Sequence, residues 1–201
     1  MIRIIIAEDE NLIREALVSL LGFEDDLEVV GQAASGDEAL AAALHHRPDV
    51  AVLDLQMPGR SGINVATELA TELPDCASII VTSHGLPGHL KQALAHGVRG
   101  FVPKTITGAA LAEVIRTVHQ GGRYVDPQLA ADAIAAGDSP LTPREADVLL
   151  AADGGAPIED IATRVSLSPG TVRNYLSSAM TKLGASNRHE AAEIARSRGW
   201  I

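Results

Sequence analysis

Apolar residues fall along this chain in two rhythms, and the change from one to the other divides it. Over the first 120 residues, short runs rich in Ile, Val and Leu recur at Ile2–Ala7, Leu27–Ala33, Val50–Asp54, Ser78–Thr82 and Gly100–Pro103. Near-continuous apolarity of this kind marks strands covered on both faces, as in a parallel sheet. The segments between them carry helix punctuation. Asn11–Leu21 is the first helix, and Ser35-Gly36-Asp37-Glu38 is a capping box opening a second that ends at Arg47-Pro48. Ser61 caps a third running to Leu73-Pro74, Gly97 stops a fourth begun near Pro87, and Ala109–Gln120 is the fifth. Five strand-then-helix units predict an open, doubly wound α/β domain over residues 1–120. Pro103 cannot donate to a ladder, which predicts the fifth strand at a sheet edge.

The rhythm then changes. Gly121-Gly122 closes the first domain, and 121–140 reads as a linker containing a short helix from Asp126-Pro127 to Ala136. Residues 141–201 show helical spacing only. Thr142-Pro143-Arg144-Glu145 is a capping box, with Gly154-Gly155 ending its helix. Ile158–Ser166 is the next helix, Ser168-Pro169 caps one reaching Leu183 before Gly184, and Ser186 opens a last one to Arg198. The tight turn Leu167-Ser168 between the second and third predicts a helix-turn-helix in a four-helix, all-α domain.

Composition narrows the function. The 201 residues include one cysteine, so neither an internal disulfide framework nor a cysteine-based zinc site is available. Aromatics at 2% argue against stacking platforms for single-stranded nucleic acid. No apolar stretch is long enough to span a bilayer, and the apolar start is too short for a signal peptide. The expectation is a cytoplasmic protein with no direct membrane contact. Residues 1–137 hold 18 acidic and 9 basic side chains, whereas 138–201 hold 8 and 7. An acidic front and a nearly neutral tail, locally basic after Ser168, suit two domains with different partners.

Sites in open α/β sheets lie beyond the carboxyl ends of strands. Glu8-Asp9 follows the first run, Asp54 ends the third, Thr82 ends the fourth and Lys104 follows the fifth. Carboxylates brought together there repel unless a divalent cation neutralises them, and an all-oxygen set suits Mg2+ better than zinc. An aspartate beside such a cation can attack phosphorus. Lys104 would absorb the added charge, and the Thr82 hydroxyl would donate to a phosphate oxygen.

The predicted helix Pro169–Leu183 sorts by face. Val172, Leu176, Met180 and Leu183 form an apolar stripe, while Arg173, Asn174, Ser177, Ser178 and Thr181 lie opposite. In a major groove Arg can pair with guanine and Asn with adenine, so Arg173, Asn174, Tyr175, Ser177 and Ser178 are expected to contact DNA there. Ser168, Thr171, Lys182, Asn187 and Arg188 are placed for phosphates.

Several segments carry a family resemblance. Ile6-Ala7-Glu8-Asp9, Val52-Leu53-Asp54-Leu55-Gln56-Met57-Pro58-Gly59, Val81-Thr82-Ser83 and Gly100-Phe101-Val102-Pro103-Lys104 resemble the receiver domain of two-component response regulators. Leu141-Thr142-Pro143-Arg144-Glu145, Ile161-Ala162, Leu167-Ser168, Thr171-Val172-Arg173-Asn174-Tyr175 and Lys182-Leu183-Gly184 resemble the effector domain of the NarL/FixJ (LuxR-type) subgroup. The resemblance implies a flavodoxin-like, five-stranded parallel sheet of order 2-1-3-4-5. It further implies phosphorylation of Asp54 by a sensor histidine kinase, with Mg2+ held by Asp9, Asp54 and the Gln56 carbonyl, and by Glu8 through water. Thr82 and Phe101 would form the switch pair, Lys104 would meet the phosphate, and Gln56 and His84 would tune phosphoryl loss. Tyr175, in place of the commoner histidine, is similar to the variant in DesR-like regulators. Glutamate at position 8 and Lys104-Thr105 in place of Lys-Pro are departures.

An effector of such low net charge neutralises few phosphates, so one copy should bind double-stranded promoter DNA weakly. Phosphorylation is therefore expected to promote a homodimer, through Asn11–Leu21 with Ala109–Gln120 or through Ser186–Arg198. The chain then acts as a switch on transcription and not as an enzyme on external substrates. The alternatives are a DNA-binding regulator whose receiver works without phosphorylation, and an aspartate-nucleophile phosphatase. The second lacks the usual second acid two residues after Asp54, where Gln56 stands.

Overall fold

The computed structural model describes residues 1–83, 87–135, 137–165 and 167–201. Two compact units divide the chain, one drawn mainly from residues 1–130 and the other from 131–201.

In the first unit β1 (Ile2–Ala7), α1 (Asn11–Leu21), β2 (Leu27–Ala33), α2 (Gly36–His46), β3 (Val50–Asp54) and α3 (Gly62–Glu72) alternate as the apolar pattern requires. They are followed by β4 (Ala77–Thr82), α4 (Pro87–Ala95), β5 (Gly100–Pro103), α5 (Gly108–His119) and β6 (Tyr124–Val125). Every strand pairing is parallel, and the sheet order is β2-β1-β3-β4-β5-β6. Side-chain alternation at period two splits the strands between both faces. Ile4, Ile6, Val52, Ile79 and Val81 pack with Leu21 of α1 and Leu111, Ile115 and Val118 of α5. Helices α2 and α3 pack together against the sheet. Ser35, Ser61 and Thr107 cap α2, α3 and α5, each accepting from a backbone N–H three residues on. Cys76 is buried at the start of β4, which pushes its thiol up to about 12 and leaves it unreactive at neutral pH.

The five expected strands are present, and a sixth corrects the prediction that β5 is an edge. Tyr124–Val125 pairs beside Gly100–Phe101, so the beginning of the expected linker belongs to the sheet. The proline argument holds one step further along: β6 ends opposite Phe101, so Pro103 lies beyond the ladder on that side and no partner is denied a donor.

Helix α6 (Pro127–Ala135) leads into the second unit, which holds its last residues together with α7 (Pro143–Ala151), a 3-10 turn at Asp153–Gly155, α8 (Ile158–Arg164), α9 (Pro169–Leu183) and α10 (Arg188–Ser197). Its core joins Val148 and Leu149 of α7, Ile161 of α8, Val172 and Leu176 of α9, and Ala191 and Ala195 of α10. Trp200 packs on this core, with the Arg198 guanidinium 5.2 Å from its ring centroid. Thr142 and Glu145 form the expected reciprocal capping box. Gly184 ends α9 at φ 65°, where a side chain would be strained. Helix α10 begins later than expected: Asn187, not Ser186, caps it, because Asn187 Oδ1 accepts from the Glu190 N–H at 2.9 Å.

Candidate functional site

Register sets the first constellation. Ala7 pairs with Leu53, Asp54 with Val81, and Thr82 with Pro103, so the residues at the carboxyl ends of these strands lie together at one end of the sheet. Asp9, Glu10, Asp54, Gln56, Thr82, Ser83 and Lys104 line a cavity of about 280 Å3 there. Glu8, Asp9 and Asp54 each offer a carboxylate oxygen, all within 4.8 Å of one another. Glu8, Asp54 and Thr82 are buried, whereas Asp9 and Gln56 are exposed. Phe101, expected as the aromatic partner of Thr82, is wholly buried in the core. His84 lies outside the described residues.

Lys104 reaches across this cluster. Its Nζ lies 2.8 Å from each Glu8 carboxylate oxygen and 3.3 Å from Asp54 Oδ2. It is also 3.6 Å from Glu10, an acid that the sequence reading did not assign. The clue to Glu10 was its place in the same loop beyond β1. Burial raises the Glu8 carboxyl above its ordinary pKa, against the pull of Lys104, and the Asp54 charge adds to the rise. Burial likewise raises Asp54, opposed by Lys104 and reinforced by Asp9. Burial acts to lower Lys104, yet hydrogen bonding to Glu8 and the nearby Asp54 charge carry it above its ordinary value. The ammonium thus falls short of neutralising the acids around it. An all-oxygen donor set with surplus negative charge, and a Glu8 Oε2 without an aligned hydrogen-bond donor, fit a hard divalent cation.

Gly62, the first residue of α3, holds the backbone of this site. Its N–H donates to the Leu55 carbonyl at 3.0 Å, and a Cβ at this position would stand 2.1 Å from the Asp54 carbonyl oxygen. Gly62→Ala should therefore force α3 and the end of β3 apart. We expect it to lower stability by about 1–3 kcal/mol in urea unfolding and to weaken divalent-cation binding together with it. Normal cation affinity in a destabilised variant would show that this close approach does not position the site.

The second constellation lies on α9. Ser168 caps the helix, accepting from the Thr171 N–H at 3.2 Å, with 2.8 Å between the two hydroxyl oxygens. Arg173, Asn174 and Ser177 are exposed, and Arg173 is only loosely paired with Glu159 at 3.8 Å. Tyr175 is half-buried against the core. Asn187 caps α10. Arg188 donates to the Gly155 and Ala156 carbonyls at 3.2 and 2.9 Å, which fixes its guanidinium without neutralising it.

Ser178 is half-buried and Lys182 is exposed, yet both reach a buried acid on α7. Ser178 Oγ donates to Glu145 Oε1 at 2.6 Å, and Lys182 Nζ to Glu145 Oε2 at 2.7 Å. Glu145 is only 4% exposed, and Oε2 also accepts from the Thr142 N–H at 2.6 Å. Burial acts to raise its pKa, but Lys182, Ser178 and Thr142 outweigh that and hold the carboxyl at about 2. The sequence reading saw Glu145 only as half of a capping box. Its position three and four residues before the buried Val148 and Leu149, on the core side of α7, was the available signal.

Comparison with known proteins agrees with both halves. Residues 4–116 match the response regulator receiver domain, and residues 139–195 match the bacterial regulatory proteins of the luxR family. The transcriptional regulatory protein YvfU of Bacillus subtilis is 44% identical over 203 residues, covering 100% of both chains. The transcriptional regulatory protein DesR of the same organism is 40% identical over 201 residues, again covering 100% of both. DesR thus stands among the relatives, as the resemblance at Arg173-Asn174-Tyr175 led us to expect. A solved structure of the response regulator RcsB in complex with DNA superposes with a TM-score of 0.66 at 25% identity, covering 98% of each chain. The chain belongs to the two-component response regulators, with a receiver domain followed by a LuxR-type DNA-binding domain.

Proposed function

We propose that Asp54 is the phosphoryl acceptor and that its phosphorylation by a sensor histidine kinase promotes a dimer that binds promoter DNA. The observation that carries this reading is the position of Asp54, a buried strand-end carboxylate 3.3 Å from the Lys104 ammonium and grouped with Glu8 and Asp9. An Asp54 carboxylate oxygen forms the new P–O bond as the P–N bond to the kinase histidine breaks, and the departing imidazole nitrogen takes up a proton. Lys104 is near enough to follow the charge from the carboxylate to the phosphoryl oxygens. Thr82 donates its hydroxyl to the phosphoryl group, and Phe101, opposite Ile80 on the neighbouring strand, relays the change. Gln56 and His84 govern access of water. Asp9, Asp54, the Gln56 carbonyl and, through water, Glu8 would hold Mg2+. When bound, this ion supplies the positive charge that a doubly anionic group requires in an acidic cavity.

Residues 1–125, which include β6, then form the receiver, 126–140 the connection and 141–201 the effector, acting at the chromosome in the cytoplasm. Arg173, Asn174 and Ser177 are the base-reading candidates on α9, with Tyr175 supporting them from the core side. Ser168, Thr171, Asn187 and Arg188 face phosphates. The RcsB complex supports DNA as the ligand. Exposed apolar residues on and just after α1, namely Leu12, Leu20 and Phe23, support the α1–α5 face as the dimer surface over α10. Incubation with a small-molecule phosphodonor and Mg2+ tests the acceptor. One phosphoryl group per chain, absent in Asp54→Ala, is expected; labelling that survives the substitution assigns the acceptor elsewhere.

A further inference from the structure

We infer that Glu145 is a positioning residue of the DNA-reading helix, clamping Ser178 and Lys182 so that Lys182 serves the fold and not a DNA phosphate. The inference rests on the reading of α9 as the helix that enters the groove.

Three donors converge on one buried carboxylate. Thr142 N–H and Lys182 Nζ approach Oε2 at 2.6 and 2.7 Å, and Ser178 Oγ approaches Oε1 at 2.6 Å. Ser178 and Lys182 are one helical turn apart on α9, so two consecutive turns of that helix are pinned to the first turn of α7. This fixes the rotation of α9 about its own axis, and hence the direction in which Arg173, Asn174 and Ser177 project.

The clamp also sets how much charge the helix offers. A phosphate contact strengthens binding by releasing a counterion, which requires a cation with net charge to give. Lys182 is already neutralised by Glu145. Moving to a phosphate would leave a buried carboxylate without its cation, a costly exchange. Arg188 differs in kind: carbonyl oxygens orient its guanidinium and leave its charge available. One effector copy therefore makes fewer electrostatic contacts than its basic residues suggest, which increases dependence on a second copy.

The test is the salt dependence of binding by the full chain to a duplex selected from a random pool by the wild-type protein. The double variant Glu145→Gln/Lys182→Gln removes both charges together, so no buried ion is orphaned, and glutamine remains a competent partner in a capping box. Its slope of log affinity against log salt should match the wild type, while the affinity itself falls because the ionic clamp on α9 is lost. A slope shallower by about 0.9 per copy would mean that Lys182 contacts a phosphate, and would overturn the inference. Glu145→Gln alone should free the ammonium and steepen the slope by a similar amount; an unchanged slope also overturns it. Arg173→Ala in the same assay separates the two failures, because retained selectivity in that variant would refute the reading of α9 itself.

Discussion

Lys104→Met should destabilise the receiver domain by about 3–5 kcal/mol at pH 7 in the absence of divalent cations. The substitution keeps the length of the side chain and removes its charge, leaving Glu8, 1% exposed, and Asp54, 5% exposed, without their ammonium. Both carboxyls already have raised pKa values with Lys104 present, and Lys104 acts to lower each of them. In the variant they rise further. A group whose folded pKa lies above its unfolded value contributes stability below the unfolded pKa and loses it as pH rises through the folded pKa. The variant should therefore approach wild-type stability when acidified toward about pH 4, where both carboxyls take up protons. It should fall away as pH rises from there. Asp54→Asn should shift stability the other way at pH 7, because it removes a raised carboxylate and leaves Lys104 on Glu8 at 2.8 Å. Calorimetry of the receiver transition across this pH range reads both signs. Equal stability of Lys104→Met and wild type at pH 7 would show that the ammonium does not hold the acids together.

Arg173→Ala and Asn174→Ala should each cost about 1–3 kcal/mol of specific DNA affinity per copy, roughly 5- to 150-fold, with discrimination relaxed at one base position for each. Both side chains are exposed on α9, and neither supports the effector core, whose α9 contribution is Val172, Leu176 and Ala179. Thermal stability should therefore remain at the wild-type level while binding falls. Competition against duplexes with single base-pair changes separates this from loss of a phosphate contact, which would weaken all sequences alike. Unchanged selectivity in both variants would place the reading surface elsewhere on the domain.

The parts of this molecule that a sequence shows are those with local causes. Four of the five anticipated strands keep their anticipated ends and β4 begins one residue earlier at Ala77, because uninterrupted β-branched and aliphatic runs permit few other structures. Ser35, Ser61, Thr142 and Ser168 cap their helices through bonds spanning three residues. The strand-end placement of Glu8, Asp54, Thr82 and Lys104 follows from the same strand boundaries. Tyr124–Val125 escaped notice because two residues carry no periodicity, and its pairing with Gly100–Phe101 is fixed by tertiary packing. The contact between Lys182 and Glu145 spans 37 residues, and the one with Ser178 spans 33. Helical-face reasoning on α9 alone assigned both to DNA, whereas the charged residue on the buried side of α7 determines where they point.

The central claim is that chemistry at Asp54 governs DNA binding by α9. Binding to a wild-type-selected duplex, measured with and without phosphodonor and Mg2+ by a method that also reports the number of bound chains, tests it directly. The account predicts that phosphodonor raises affinity and places two chains on each duplex, and that Asp54→Ala shows neither change. Equal affinity with and without phosphodonor, in a protein demonstrably phosphorylated at Asp54, would contradict it.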